Sequence, residues 1–294
     1  AIIDSIQALQ NDNLSSAAGS VSQVKECSSA LQSLAKELGI ALIIVGHVTK
    51  EGALAGPKIL EHLVDVVLSF EGERFASHRL LRAVKNRYGA THELGVFEMQ
   101  AKGLIEVNNP SEIFLSGDIA PGVATIVAFE GSRALAIDLQ ALVNTTTYPT
   151  PRRTATGIET NRLHQILAVL EKHMQLNFSR HDCYLAVAGG LNVEEPAADL
   201  GIAAAVISSL KDLAVPRGTV LIGELGLGGQ VRTVRQLAQR LLEAERLGFK
   251  RAIVPKNNGI NPIEKEMNIE VIEVGTIQEV LTMFLGGQEE EVQK

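Results

Sequence analysis

Ala1-Ile2-Ile3-Asp4-Ser5 opens the chain, and a second aliphatic run, Ile40 to Val45, ends in Gly46-His47. Between them Val21, Val24, Cys27, Leu31, Leu34 and Leu38 recur at three and four, which predicts an amphipathic helix. Ser20 with Gln23 has the spacing of a capping box, and Gly39 stands where a helix ends. Strand, helix and buried strand make one βαβ unit of a parallel sheet covered by helices. An aliphatic strand that delivers Asp4 and then Ser5 to its C-terminal edge is where ATP-hydrolysing α/β proteins place the carboxylate that holds magnesium through water. A strand-end aspartate in a plain loop has the same five residues.

The 294 residues are 46% hydrophobic and 21% charged, enough for one large domain or two ordinary ones. Cys27 and Cys183 stand far apart, which argues against a disulfide framework or a zinc site. They read as small buried filler. No apolar run is long enough to span a bilayer and no leader is visible, so a cytoplasmic protein away from membranes is expected. With a net charge of −7, nucleic-acid binding has to come from local cations or from a ring of subunits.

Polar residues Asn11 to Gly19 form a loop at the sheet edge where ligands bind in such folds. His47 leaves its strand on the same edge as Asp4, as a γ-phosphate sensor or as an ordinary strand-end residue. Lys50 and Lys58 flank a glycine-punctuated loop able to touch a phosphate backbone, as a solvated loop also would. Val64 to Phe70 and His78 to Gly89 read as neighbouring strands around Gly72. Arg82 is expected to face away from Lys85, whereas Lys85 and Arg87 share a side and are suited to an anionic target. A solvated basic face is the alternative.

After Pro110 a second unit begins. Gly122 to Phe129 and Ala134 to Val143 predict a hairpin, and Thr145 to Thr156 an exposed connector. Helices are expected over 157–176, 196–210, 237–247 and 277–284, and strands over 183–188, 220–222, 251–254 and 270–274. Gln288 to Lys294 reads as a charged tail.

Ile3-Asp4-Ser5-Ile6-Gln7, Gly19-Ser20-Val21-Ser22-Gln23-Val24, Gly46 to Gly52, Gly56-Pro57-Lys58 and above all Lys85-Asn86-Arg87-Tyr88-Gly89 carry a family signature. In these segments, and on through Leu225-Gly226-Leu227-Gly228-Gly229 and Arg251 to Pro255, the chain resembles the RadA (Sms) family of bacterial DNA repair proteins. The resemblance covers essentially the whole sequence, with Tyr88 where the family signature has Phe. It implies an α/β fold: a truncated RecA-like parallel-sheet ATPase core over residues 1–112, an α/β Lon-protease-like domain of the ribosomal protein S5 domain 2-like type over 113–287, and the tail 288–294.

The resemblance further implies ATP and magnesium as cofactors. Asp4 is then the Walker B carboxylate, with Ser5 beside it, His47 the sensor, and Lys85 and Arg87 the cations that reach the nucleotide or organise the ring. The loops after Asn11 and after Lys50 become DNA-facing, with Lys50, Lys58, Arg232 and Arg235 as DNA contacts. Full-length members also carry a four-cysteine zinc motif and a Gly-rich phosphate loop upstream; this chain holds neither, so hydrolysis is expected only of the longer protein.

The second domain resembles the proteolytic domain of Lon, whose serine nucleophile and lysine base correspond here to Ala197 and Ala238, so no peptidase activity is expected. Arg152, Arg153 and Arg162 add to the cations of this domain. The partners implied are single-stranded and branched DNA, recombination proteins of the RecA type, and copies of the chain in a hexameric ring that drives branch migration. The alternative is a non-catalytic, DNA-binding oligomeric scaffold.

Overall fold

The computed structural model describes residues 1–47, 60–72, 77–91, 93–256 and 267–286. The chain divides into two compact units, Ala1–Glu71 with Leu80–Gly95, and Gly72–Arg79 with Val96–Lys294.

In the first unit β1 (Ile2–Asp4) is followed by a 3-10 turn over Ile6–Ala8 and by α1 (Val21–Leu38). Gly39 closes that helix at φ 64°, a left-handed value glycine adopts without a Cβ clash. β2 (Ile43–Val45) then pairs parallel with β1, Ile2 opposite Ile43 and Asp4 opposite Val45. The predicted βαβ unit is present. Its second strand was expected to be buried from Ile40; it starts at Ile43, which is 58% exposed. The packed centre of this unit is smaller, Ile6, Val24 and Cys27 with Leu9, Leu31 and Ile44 around them.

The capping box does not form. Ser20 makes no side-chain cap bond, and Gln23 turns its amide away from the helix end and into the preceding loop.

β3 (Val66–Glu71) pairs antiparallel with β4 (His78–Asn86). Val67 faces Lys85 while Leu68 faces Ala83, so Val84 is an extra residue in β4. The insertion reverses the alternation and places Lys85 on the side of Arg82, correcting the expectation from an unbroken strand.

β5 (Leu94–Gln100), which begins in the first unit and continues into the second, forms a hairpin with β6 (Gly103–Glu106), and in the second unit α2 (Ser111–Phe114) is a single turn. β7 (Val123–Glu130) and β8 (Arg133–Thr145) form the expected hairpin. The stretch read as a connector contains a strand, β9 (Arg153–Thr156), before α3 (Thr160–Met174). It is recruited by tertiary pairing with β10 (His181–Val187), Cys183 opposite Arg153, which no local pattern encodes.

A 3-10 turn at Pro196–Ala198 leads into α4 (Asp199–Lys211), followed by β11 (Thr219–Leu221), the short pair β12 (Glu224–Leu225) and β13 (Val231–Arg232), α5 (Leu237–Arg246), β14 (Arg251–Pro255), β15 (Glu270–Val274) and α6 (Ile277–Gly286).

Seven strands form one mixed sheet in the order β15-β14-β11-β7-β8-β10-β9. Its centre is covered on both faces. Gly201 of α4 lies so close to one face that a Cβ there would stand 2.1 Å from Ile126 Cγ2. On the other face Val127 and Ala136 pack with Leu237, Leu241 and Ala244 of α5. Two-sided cover explains why β7 and β8 are nearly continuous in buried residues. Cys27 and Cys183 are both free and buried, as expected of filler, and burial raises the Cys183 thiol to about 11.

Candidate functional site

In the first unit the register of β1 against β2 brings two polar residues to one sheet edge. Asp4 is level with Val45, and His47 follows two residues later. Gln7 Nε2 donates to the His47 carbonyl at 3.2 Å, bridging the turn after β1 to the end of β2. Ser5 lies between Asp4 and that turn, and its carbonyl accepts the Ala8 N–H at 3.1 Å. Lys50 and Lys58 lie outside the described residues.

Lys85 and Arg87 sit at the end of β4, and both are engaged within the unit. Lys85 Nζ donates to the carbonyls of Glu61 and of Val64, the latter at 2.8 Å. Arg87 Nη1 pairs with Asp65 Oδ1 at 2.8 Å, and its backbone N–H donates to the Asp65 carbonyl at 3.0 Å. Both cations are thus anchored to one short segment, residues 61 to 65.

Among the described residues no group of three His, Cys, Asp or Glu side chains is placed to hold a metal ion. One carboxylate at a strand edge suits magnesium that arrives with its phosphates and keeps several waters.

In the second unit the two positions expected to match a protease dyad both carry methyl groups. Ala197 is buried in the 3-10 turn before α4, and Ala238 lies half-buried in the first turn of α5. The hydroxyls at the far end of α4 are committed elsewhere. Ser208 Oγ accepts the Gly122 N–H and donates to the Leu213 carbonyl, and Ser209 Oγ accepts the Val143 N–H.

Sequence reasoning missed what occupies this region. Arg240, 2% exposed, forks onto Glu195 through Nη1 to Oε1 and Nη2 to Oε2, both at 2.7 Å. Its Nη1 also donates to the Val127 carbonyl at 2.6 Å and its Nε to the Arg235 carbonyl at 3.1 Å, with the guanidinium 4.7 Å from the Phe129 ring centre. Glu195 Oε1 additionally accepts the Phe129 N–H at 2.6 Å. The available signal was spacing: Arg240 falls on the Leu237, Leu241, Ala244 stripe, where a surface arginine does not belong.

Beside it lies a cleft of about 660 Å³ lined by Glu159, Arg162, Asn192, Glu194 and Asp199 among others. Arg162, expected as a surface cation, instead forks onto the buried Asp199, whose Oδ2 also accepts the Leu225 N–H at 3.0 Å. Burial pushes the Asp199 carboxyl above its ordinary range against the pull of Arg162, and the same contact raises the Arg162 guanidinium further. Of the remaining cations, Arg232 pairs with Glu224 at 3.5 Å and remains half-exposed, and Arg235 has an exposed side chain.

A parallel piece with an acidic strand end, followed by a mixed sheet covered by helices on both faces, defines a class: a RecA-like ATPase core joined to a Lon-protease-like α/β domain. Comparison with known proteins narrows it. The chain is 56% identical over 291 residues to DNA repair protein RadA of Synechocystis sp. (strain ATCC 27184 / PCC 6803 / Kazusa), covering 98% of this chain and 57% of that protein. It is 51% identical over 288 residues to DNA repair protein RadA of Halalkalibacterium halodurans, covering 97% and 63%. It is 50% identical over 282 residues to DNA repair protein RadA of Streptococcus pneumoniae, covering 95% and 67%. The chain belongs to the RadA family. It spans 57% and 63% of the length of the first two of these relatives. Residues 152–258 also match the family model described as subunit ChlI of Mg-chelatase.

Proposed function

We propose that this chain is the nucleotide-sensing and DNA-contacting part of an ATP-driven DNA repair and recombination motor. It acts on single-stranded DNA and branched intermediates by branch migration, in the cytoplasm, as a hexameric ring working with RecA-type recombination proteins. The observation that carries this reading is the convergence of Asp4 and His47 on one edge of the β1–β2 pair, in a chain so similar to DNA repair proteins named RadA.

In this reading Asp4, with Ser5 beside it, holds magnesium through water, and His47 senses the γ-phosphate. Bound magnesium neutralises charge on the phosphates during transfer. Lys85 and Arg87 bring positive charge to the nucleotide of a neighbouring subunit, and Lys50, Lys58, Arg232 and Arg235 meet the DNA backbone. Residues 1–112 serve the ATPase and 113–287 the Lon-like platform; this is a division of labour, distinct from the compact units of packing. The Lon-like domain assembles and binds but cuts no peptide bond, in keeping with the methyl groups of Ala197 and Ala238.

A second reading, a DNA-binding scaffold without hydrolysis, draws on the engagement of Lys85 and Arg87 within their own chain. One experiment separates the two. DNA-stimulated ATP hydrolysis is measured for this chain joined to a family phosphate loop, with Lys85→Ala and Arg87→Ala as variants. The motor reading expects turnover to drop by about a hundredfold or more in each folded variant, the lower end of what one donor to transition-state charge contributes. Turnover unchanged in both, or no hydrolysis by the parent, favours the scaffold.

A further inference from the structure

The loop that follows the acidic strand end hangs on one buried amide. Gln23 stands in the first turn of α1 yet has no exposed surface. Its Nε2 faces three backbone carbonyls, those of Asn11 at 3.1 Å, Leu14 at 3.4 Å and Ser16 at 3.0 Å. Its Oε1 accepts the Asn11 N–H at 2.8 Å. Inside that frame Asn11 Oδ1 accepts the Asn13 N–H and the Asn11 carbonyl accepts the Leu14 N–H, each at 3.0 Å.

Residues 11 to 16 bury no side chain of their own. Hydrophobic packing therefore does little to fix their path, and the side-chain amide supplies the order. Only an amide of this length both donates to several carbonyls and accepts from an N–H at one place. A carboxylate would set negative charge against three carbonyl oxygens, and a thioether of equal length would leave those carbonyls without their donor.

We infer that Gln23 is the positioning residue of the 11–16 loop and thereby sets how tightly that loop engages single-stranded DNA. The second half rests on the reading, made above, that this loop faces DNA. Gln23 touches no nucleic acid itself; it acts through the backbone it holds.

The test uses the full-length protein with Gln23→Met, which keeps length and volume, and Gln23→Asn, which keeps the amide but draws it back by one methylene. Hydrogen exchange of residues 11–16 is measured alongside the apparent KM for an oligothymidylate in stimulated ATP hydrolysis. Faster loop exchange is expected in both variants. The apparent KM should rise by about tenfold, since losing roughly 1.4 kcal/mol of preorganisation is one decade in affinity, while kcat at saturating oligonucleotide is retained. Unchanged loop exchange in a folded variant overturns the positioning role. Faster exchange with an unchanged KM leaves the positioning intact and overturns the link to DNA, and so the inference as stated. A kcat that falls at constant KM overturns it as well, and Gln23→Asn decides the matter if Gln23→Met does not fold.

Discussion

Replacing Arg240 by Met tests whether the fork onto Glu195 holds the Lon-like unit together. Methionine retains much of the buried stem, so the loss is concentrated on the guanidinium. Removing it strips Val127 and Arg235 of a donor to their carbonyls and leaves Glu195 with the Phe129 N–H as its remaining partner. Breaking a buried pair from one side costs about 3–5 kcal/mol. Glu195 retains 24% side-chain exposure, so water recovers part of its solvation and the lower end, about 3 kcal/mol, is expected. Urea is the right denaturant because guanidinium would screen the charges being measured. Equilibrium unfolding is followed by peptide-resolved hydrogen exchange over β7 and α5, the two elements the pair joins. Glu195→Gln keeps an acceptor for Phe129, and combined with Arg240→Met it should cost less than the sum of the singles by about 1–2 kcal/mol, as for residues in one network. A cost below about 1 kcal/mol for Arg240→Met, the size of an exposed ion pair, or strict additivity in the double variant, would refute the reasoning.

Gly201→Ala pushes a methyl to 2.1 Å from the buried Ile126 Cγ2, so about 1–3 kcal/mol of stability should be lost; a thermal midpoint equal to the parent's would show that α4 can lift without cost. Burial pushes the Glu243 carboxyl up, but hydrogen bonds from Arg246 and Ser111 outweigh it and the group ends below its ordinary 4.5. Its folded value is depressed, so its stabilisation is complete above 4.5 and is lost as pH falls through the lower folded value. The stability gap between parent and Glu243→Gln should therefore close in acid, and a gap that widens there would contradict the assignment. If Arg232 and Arg235 meet phosphate, removing either should flatten the salt dependence of single-stranded DNA affinity by about 0.7 in log–log slope; a slope unmoved by both substitutions returns them to ordinary surface cations.

Periodicity made much of this molecule legible. Val21 to Leu38 announced α1 and Gly39 its end, and the apolar runs around Gly131-Ser132 announced the long hairpin. Such features are encoded by neighbours in sequence. The misses share an opposite cause. β9 exists because β10 is beside it, and the alternation in β4 is reset by one residue, Val84, that nothing local marks. Gln23 had two uses open to it, the helix end and the loop, and spacing alone favoured the one it does not adopt. Asp4 and His47 were visible as strand ends, and their shared edge followed from the parallel pairing. Arg240 and Glu195 lie 45 residues apart, and only the packing of α5 against β7 reveals that they share a buried fork.

The edge position of β9 bears on how many copies of this chain can be crowded together. A sheet's last strand offers a row of unpaired backbone groups, and in an assembly the same row is repeated at short range, an invitation to uncontrolled strand exchange. Here that row is only four residues long. Pro149 and Pro151 precede it, denying a donor to any strand that would extend the pairing upstream, and Arg152 and Arg153 bring like charges to the approach of two such edges. The feature that hid β9 from a periodicity reading, its short and proline-flanked sequence, also makes it a poor template for one more strand.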